Sequence, residues 1–159
     1  MRRFIQFRQP KASRQELIIS LLGGVLTIGV LILITDLSNL PLLWAPFGGT
    51  CVLLFSAHSS PFSQPMNVIG GHLLSATISY VLLSFLPHQT WALALTVGIT
   101  IAAMRLARAT HPPAGANPIV IFLTKDSWML VLPTLALGAV AIVLVAFLVH
   151  KLANTKYPI

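Results

Sequence analysis

Charged residues are scarce in this sequence, and acidic ones are nearly absent. Only 8% of the 159 residues are charged and only three are acidic, whereas a soluble domain carries about 25% charged residues. So few carboxylates leave little material for a proton relay or for catalysis by paired acids. No Asp, Glu, Lys or Arg lies between Asp36 and Arg105. That stretch is far longer than one membrane span of about 20 residues, so we expect several spans joined by uncharged turns.

Several motifs that identify other classes of protein are also missing. The single cysteine, Cys51, excludes an intramolecular disulfide framework. The five histidines show no spacing typical of metal ligands. The sequence contains no GxxxxGK(S/T) phosphate-binding loop and no HExxH or Ser–His–Asp pattern. We therefore expect no cofactor, no metal, no enzymatic activity and no ATP-driven transport.

Apolar residues dominate what is present. With 56% hydrophobic residues, the composition predicts an all-α integral membrane protein in contact with the lipid bilayer. The net charge of +7 does not indicate nucleic-acid binding, because half of the ten basic residues precede the first apolar run. These are typical of a topology signal that contacts anionic lipid headgroups. They are Arg2, Arg3, Arg8, Lys11 and Arg14.

The hydropathy pattern predicts about six transmembrane or partly re-entrant helices. Their expected ranges are 17–35, 47–57, 66–86, 92–106, 114–124 and 128–149. The second and fifth have only about eleven apolar residues each, which suits a half-span better than a full crossing. We divide the chain into a basic cytoplasmic arm (1–15), one transmembrane domain (16–150) and a short cytoplasmic tail (151–159).

The positive-inside rule agrees with six crossings. It places Arg105, Arg108 and the tail lysines on the same side as the basic arm. Four crossings also satisfy the charges if the second and fifth segments do not cross, and we prefer six. We expect a multi-pass protein of the plasma (inner) membrane with both termini cytoplasmic. A bundle this small is also expected to form a homo-oligomer.

The sequence also contains a candidate internal repeat. A shift of 67 residues aligns Pro46 with Pro113, Gly48 with Gly115 and Gly71 with Gly138. Three segments in each half predict a 3+3 inverted repeat. Inverted repeats with short, Gly/Pro-interrupted segments are typical of transporters, whose substrate site lies where the broken helices meet.

The helix breakers indicate an anion site. Pro46 and Pro113 fit the first turns of the two short helices, and small residues follow each of them. Free N–H groups at helix starts bind anions without a lysine, and Arg105 and Arg108 would attract anions at the cytoplasmic mouth. The alternative interpretation is that the small residues serve close helix packing. The candidate site comprises Gly48, Gly49, Thr50, Gly115, Ala116, Asn117 and His111.

Two roles are expected for His111, which precedes the two prolines. Its side chain would either cap the fifth helix or carry a pH-dependent charge beside Arg105 and Arg108. His58 and His72 flank the upstream polar loop, and we give them less weight. Lone histidines near a membrane interface more often make hydrogen bonds or pack.

The stretch THPPAGANP, together with the upstream WAPFGGTCVLLFSAHSSPFSQPMNVIGGH, resembles the HPP family of small integral membrane proteins. That family is described as having four membrane spans, fewer than six. Members in cyanobacteria and chloroplasts are implicated in nitrite transport, so the resemblance implies a nitrite transporter or channel of a bacterial inner membrane. His111, Pro112, Pro113 and Gly115 form the signature, and residues 48–50 the matching block.

Other functions remain open at this point. The chain could be a structural or assembly subunit without transport activity, or a membrane-embedded enzyme using His111 or Ser59. If it transports, passive and proton-coupled movement are both open. The sequence does not separate nitrite from nitrate, formate or chloride, which share its charge.

Overall fold

The structure is a computed structural model that describes residues 10–159, and over that range it contains helices and no strand. The predicted all-α membrane architecture with six helices is confirmed. Residues 1–9, with Arg2, Arg3 and Arg8 of the predicted arm, lie outside the described range. The six helices are α1 (Arg14–Ser38), α2 (Ala45–Ser56), α3 (Pro65–Phe85), α4 (Thr90–Leu106), α5 (Asn117–Thr124) and α6 (Trp128–Leu152), with short 3-10 helices at Pro61–Ser63 and Pro112–Ala116.

Local sequence fixes both ends of α1. Ser13 and Glu16 form a capping box, in which each side chain accepts a hydrogen bond from the other residue's backbone N–H. Asn39 ends the helix in the left-handed conformation, with φ of 57°, a region that asparagine tolerates better than most residues. The helix therefore starts three residues earlier and ends three residues later than the apolar run predicts.

The helices differ in length, and α4, with 17 residues, lies between a long and a short class. Helices α1, α3 and α6 are long and apolar enough to cross a membrane. Helix α2 has 12 residues and α5 has 8. At 1.5 Å per residue these measure about 18 and 12 Å, against about 30 Å for the hydrocarbon core. The prediction that the second and fifth helices are short is confirmed, but the segments that contain them are not re-entrant, because their hydrogen bonds join both ends of the bundle.

Hydrogen bonds at one end of the bundle show that both ends of the described chain lie there. Gln15, in the first turn of α1, donates from Nε2 to the carbonyl oxygen of Ala153, just after α6, at 2.8 Å. Tyr157, beyond α6, donates its hydroxyl to the carbonyl oxygen of Ser63, just before α3, at 3.0 Å. The start of α1, the start of α3 and the end of α6 thus share one end of the bundle.

The second segment crosses the bundle although its helix is short. Trp44, immediately before α2, donates from Nε1 to Thr134 Oγ1 in the second turn of α6, at 3.2 Å. Leu54, near the end of α2, accepts from His150 Nε2 near the end of α6, at 2.9 Å. Helix α2 therefore runs parallel to α6 and antiparallel to α1. The extended residues 39–44 supply the rest of the crossing.

The fifth segment crosses in the opposite direction. At its start, Thr110 accepts from Nδ2 of Asn67, in the first turn of α3, at 3.0 Å. At its end, the carbonyl of Phe122 accepts from Nε2 of His88, just before α4, at 2.9 Å. All six segments thus run from end to end in alternating directions.

Charge is segregated between the two ends. The end where α1 starts carries exposed basic side chains, and the opposite end carries Asp36, Lys125 and Asp126. The basic residues described at the first end are Lys11, Arg14, Arg105, Arg108, Lys151 and Lys156. This is the distribution that the positive-inside rule requires of an even number of crossings.

The start of α5 differs from the prediction. Pro113 was expected to begin this helix, but Pro112–Ala116 form a 3-10 helix and the α-helix begins at Asn117. Pro118 has no N–H to donate to the carbonyl oxygen of Ala114. That oxygen accepts instead from the backbone N–H of Asn117 and from Ser75 Oγ, the latter at 2.6 Å.

Helix α3 lies at the centre of the bundle. It packs against α4, α5 and α6, while α1 packs against α2 and α6. Large apolar side chains are exposed along α1, including Leu21, Val25 and Leu33 at half to two thirds of their surface. A face of this kind suits contact with lipid.

Candidate functional site

A network of four polar side chains is buried where the second, third and fifth segments meet. Thr50, His72, His111 and Asn117 are each 0% exposed. Thr50 Oγ1 lies 3.0 Å from His72 Nε2 and 2.9 Å from His111 Nε2. The rings of the two histidines meet edge to face with centroids 5.0 Å apart. The hydroxyl of Thr50 therefore bridges two imidazoles inside an apolar bundle.

The other nitrogen of each histidine is also engaged. His111 Nδ1 lies 2.8 Å from the carbonyl oxygen of Phe62. His72 Nδ1 lies 3.3 Å from Asn117 Oδ1, and Asn117 Nδ2 donates to the backbone carbonyl of His72 at 3.1 Å. The network thus ties α2, α3, the start of α5 and the loop before α3 into one unit.

A close backbone approach at Gly71 positions His111. A Cβ atom at Gly71 would lie 2.6 Å from His111 Cβ and 2.9 Å from the carbonyl oxygen of Ala109. Real Cβ atoms do not come this close to backbone atoms, so a larger residue would push the loop away from α3. Because His72 follows Gly71 directly, the same turn of α3 seats the loop and supplies the second imidazole.

The two Pro/Gly motifs pack directly against each other. A Cβ atom at Gly49 would lie 3.3 Å from the side chain of Pro113, and the hydroxyl of Ser75 on α3 secures Ala114 from the other side. These contacts place Thr50 and Asn117 on the same buried network. The prediction that the two motifs converge is therefore supported by the geometry.

The remaining residues of the predicted site are distributed differently. Gly48 and Gly49 are exposed, and Gly115 and Ala116 are half-buried. His111 precedes the 3-10 helix but makes no side-chain capping bond to it. The expectation that His111 caps the fifth helix is wrong, because its ring nitrogens bond Thr50 and Phe62.

Arg105 and Arg108 lie at the basic end, exposed, in the last turn of α4 and the loop after it. They are on the side of the membrane from which the chain enters the fifth segment. Neither residue makes a side-chain hydrogen bond in the described part of the chain that would place it in the network. Their role as an anion-attracting mouth remains a prediction.

His72 is the residue that the sequence reasoning undervalued. It lies in the second turn of α3, inside a span, with no polar neighbour in sequence. An ionisable side chain within a span is costly and marks a functional position by default. That rule, applied to His72 after the pair Gly70 and Gly71, would have identified it.

The network is closed as the structure describes it. The polar side-chain atoms of Thr50 and Asn117 are all hydrogen-bonded to other protein groups. Three cavities of about 220, 400 and 340 Å³ lie elsewhere, and none is lined by a network residue. Anion binding at the two motifs is therefore still a prediction.

Metal binding has no support among the described residues. Over 10–159, no group of three or more His, Cys, Asp or Glu side chains is arranged to hold an ion. The buried network contributes two imidazoles and no carboxylate, fewer ligands than a protein zinc site requires.

His150, near the end of α6, can be compared with the two histidines of the network. His150 donates from Nε2 to the carbonyl of Leu54 at 2.9 Å, and its Nδ1 lies 2.6 Å from Thr155 Oγ1. A neutral ring satisfies both contacts if the threonine hydroxyl donates to the free nitrogen rather than to the more distant carbonyl oxygen of His150, at 3.3 Å. Nearby, burial raises the pKa of Tyr157 to about 12, so its phenol stays protonated and donates to Ser63.

Comparison with known proteins gives a consistent set of relatives. Residues 9–158 match the family described as HPP, transmembrane region. A transmembrane protein of Dictyostelium discoideum is 31% identical over 122 residues, covering 71% of this chain and 39% of that protein. A second transmembrane protein of the same organism is 30% identical over 132 residues, 77% of this chain and 46% of that protein. The chain thus spans less than half the length of these relatives, and no solved structure matches it.

Proposed function

Because the chain belongs to the HPP family of integral membrane proteins, we propose that it carries small monovalent anions across the membrane. Nitrite is the anion that the family resemblance implies. The observation that carries the proposal is the buried network of Thr50, His72, His111 and Asn117. Polar and ionisable side chains are expensive within a membrane and mark substrate pathways.

The two short segments supply the site. Passage of an ion requires binding that is weak enough for release, and partial charges on backbone N–H groups meet that need better than a buried lysine. Gly48 and Gly49 are exposed beside Thr50 but follow the first turn of α2, so the N–H groups without α-helical partners lie within residues 44–47 and not at the two glycines. Gly49 contacts Pro113 in the described arrangement, and we propose that opening this contact admits the anion to the network.

A pair of close approaches supports an inverted repeat. Gly71 and Gly138 align when the chain is shifted by 67 residues. Gly71, on α3 of the first half, seats His111 of the second half. Gly138, on α6 of the second half, seats the ring of Phe47 in the first half. The third helix of each half thus packs against the short segment of the other half. This reciprocal packing is expected of two halves related by an approximate two-fold axis.

The charge distribution supports an orientation. Under the positive-inside rule, the basic end with Arg105 and Arg108 faces the cytoplasm, and both ends of the described chain lie there. We place the protein in the plasma membrane because the family resemblance implies a bacterial inner-membrane protein. We further propose a homo-oligomer, in which copies meet along exposed apolar helix faces such as that of α1.

Uptake into liposomes that contain the purified protein tests the proposal. Nitrite entry is measured at equal, mildly alkaline pH on both sides, which keeps undissociated nitrous acid scarce, and protein-free vesicles report the leak. We expect entry well above the leak. A well-folded protein that gives none would favour a structural or assembly subunit, and chemical conversion of nitrite would favour an enzyme. Nitrate, formate and chloride as competitors then rank selectivity.

Variants of the network test the site. Thr50→Val removes the bridging hydroxyl and should slow uptake by about tenfold to a hundredfold, since losing a hydrogen bond to a charged partner costs about 1.5–3 kcal/mol. Asn117→Leu should also reduce uptake. Thr77→Val is the matched control, because Thr77 is exposed on α3 and bonds only Leu73 of its own helix. Equal uptake by Thr50→Val and Thr77→Val would remove the network from the mechanism.

A further inference from the structure

The partners of the buried network fix the hydrogen on one nitrogen of His111. Its Nδ1 lies 2.8 Å from the carbonyl oxygen of Phe62. A carbonyl oxygen only accepts hydrogen bonds, so Nδ1 carries a hydrogen. In a neutral imidazole with a hydrogen on Nδ1, Nε2 is an acceptor. His111 Nε2 therefore needs a donor.

The same reasoning fixes His72. Asn117 Nδ2 donates to the backbone carbonyl of His72 at 3.1 Å, which leaves Asn117 Oδ1 facing His72 Nδ1 at 3.3 Å. Turning the amide over would set its oxygen against the carbonyl, so this orientation is the one that makes a bond. His72 Nδ1 must then carry a hydrogen, and the Nε2 of a neutral His72 is also an acceptor.

Thr50 lies between these two acceptors with one hydrogen to give. Its Oγ1 is 3.0 Å from His72 Nε2 and 2.9 Å from His111 Nε2. If both rings are neutral, one of these contacts joins two lone pairs at hydrogen-bond distance. Giving the hydroxyl hydrogen to the carbonyl of Pro46, at 3.3 Å, leaves both contacts without one. The network is satisfied when it holds one extra proton.

We propose that His72 and His111 share one bound proton through Thr50, and that this proton enters together with a monovalent anion. The coupling to an anion rests on the proposed function, whereas the proton site does not. A proton shifts between the rings as Thr50 accepts from one Nε2–H and donates to the other Nε2. No bond other than N–H and O–H forms or breaks.

The anion follows from charge balance. A buried ion without a partner is costly, and no carboxylate occurs on α2, α3, α4, α5, α6 or residues 107–116. Helix α1, which packs against α2, carries Glu16 and Asp36, but both are exposed at its two ends. Apart from the pair and the two acids of α1, the titratable or charged groups on α2 to α6 and on residues 57–64 and 107–116 are Cys51, His58, Tyr80, Arg105, Arg108, His150 and Lys151. Since none supplies a negative charge to the network, a small anion would neutralise the proton that the two rings share.

Nitrogen NMR of histidine-labelled protein in micelles tests the proton site directly. Ring ¹⁵N shifts separate imidazolium from neutral rings over about pH 5 to 8. We expect one imidazolium, shared by His72 and His111, in the presence of nitrite, and a neutral ring at His150. Thr50→Ser should preserve that signal and Thr50→Val should abolish it. Two neutral rings in the nitrite-bound protein throughout this range would overturn the proposal.

Proton uptake on binding is the second measurement. In weakly buffered micelles, nitrite should withdraw about one proton per anion bound, by linkage between proton and ligand. Thr50→Ser should do the same and Thr50→Val should not. Nitrite binding without proton uptake would refute the coupling.

Transport then separates the two proposals. One proton per anion makes uptake electroneutral, so a potassium–valinomycin potential should not change it. A pH difference should drive accumulation on the alkaline side by about tenfold per pH unit, at an initial rate above that of protein-free vesicles. Uptake that follows the membrane potential and ignores the pH difference would refute the coupling and leave transport standing. A shared proton seen by NMR without any uptake would refute transport and leave the proton site standing.

Discussion

The two short segments of the bundle begin with the same residue pattern but fold differently. In the first, Pro46 lies in the first turn of α2, a continuous helix of 12 residues. In the second, Pro113 lies in a 3-10 helix, and the 8-residue α5 begins only at Asn117. Yet Thr50 and Asn117, which occupy equivalent positions, both join the buried network.

One residue accounts for the difference. The residue equivalent to Pro118 is Cys51, which has a backbone N–H and lies inside α2. Pro118 has none, so the helix cannot extend back through Ala114. The comparison teaches that a shared Pro/Gly pattern places side chains reliably, whereas the backbone between them depends on single hydrogen-bond donors.

The largest effect is expected where the loop that leads into the fifth segment packs against α3. Gly71→Ala should lower the free energy of unfolding by about 3 kcal/mol, at the upper end for overpacking, because the new Cβ meets backbone and Cβ atoms that cannot rotate away. Unfolding in mixed micelles, followed by circular dichroism, measures it. Gly70→Ala is the control, since its Cβ would lie 3.6 Å from Ala109 Cβ, an ordinary contact. Similar stability of the two variants would show that the loop is not held by Gly71.

The equivalent substitution in the other half should cost less. At Gly138→Ala the new methyl group meets the ring of Phe47, a side chain that can shift, and we expect a loss of about 1–2 kcal/mol. Phe47→Leu in the same chain should restore part of that loss, as a double-mutant cycle in the same unfolding assay would reveal. Gly98→Ala, with no atom within 4 Å of the added Cβ, should be tolerated. A larger loss of unfolding free energy for Gly138→Ala than for Gly71→Ala would contradict this ranking of the two glycine contacts.

The smallest effect concerns the break before α5. Ser75→Ala removes the donor to the carbonyl of Ala114 and should cost about 1 kcal/mol. Adding Pro118→Ala restores an N–H that can reach that carbonyl, so the pair should cost less than the sum of the single changes. Ser84→Ala serves as the control, because Ser84 is exposed and bonds only Tyr80 of its own helix. Strict additivity in the unfolding free energies would contradict our explanation of the break.

Much of this fold could be predicted because it depends on local patterns. Apolar runs, prolines and charges located all six helices and the basic end within a few residues. The alignment of the two motifs also placed Thr50, Asn117 and His111 in one region. The partners of His72 could not be predicted, because they come from other segments. Its position inside a span, three and seven residues before the buried Ser75 and Ser79 of the same helix, was the available signal. The 3-10 helix was missed because it depends on the competition for one carbonyl oxygen at Ala114.

The sealed position of Cys51 has a practical consequence. It is the only thiol in the sequence, and with 8% of its surface exposed it should react slowly with bulky maleimides. New cysteines at Arg108 and at Lys125, near opposite ends of the bundle, would then be labelled against a silent background. A membrane-impermeant reagent applied to intact cells would report which end faces outward, without first replacing the native Cys51.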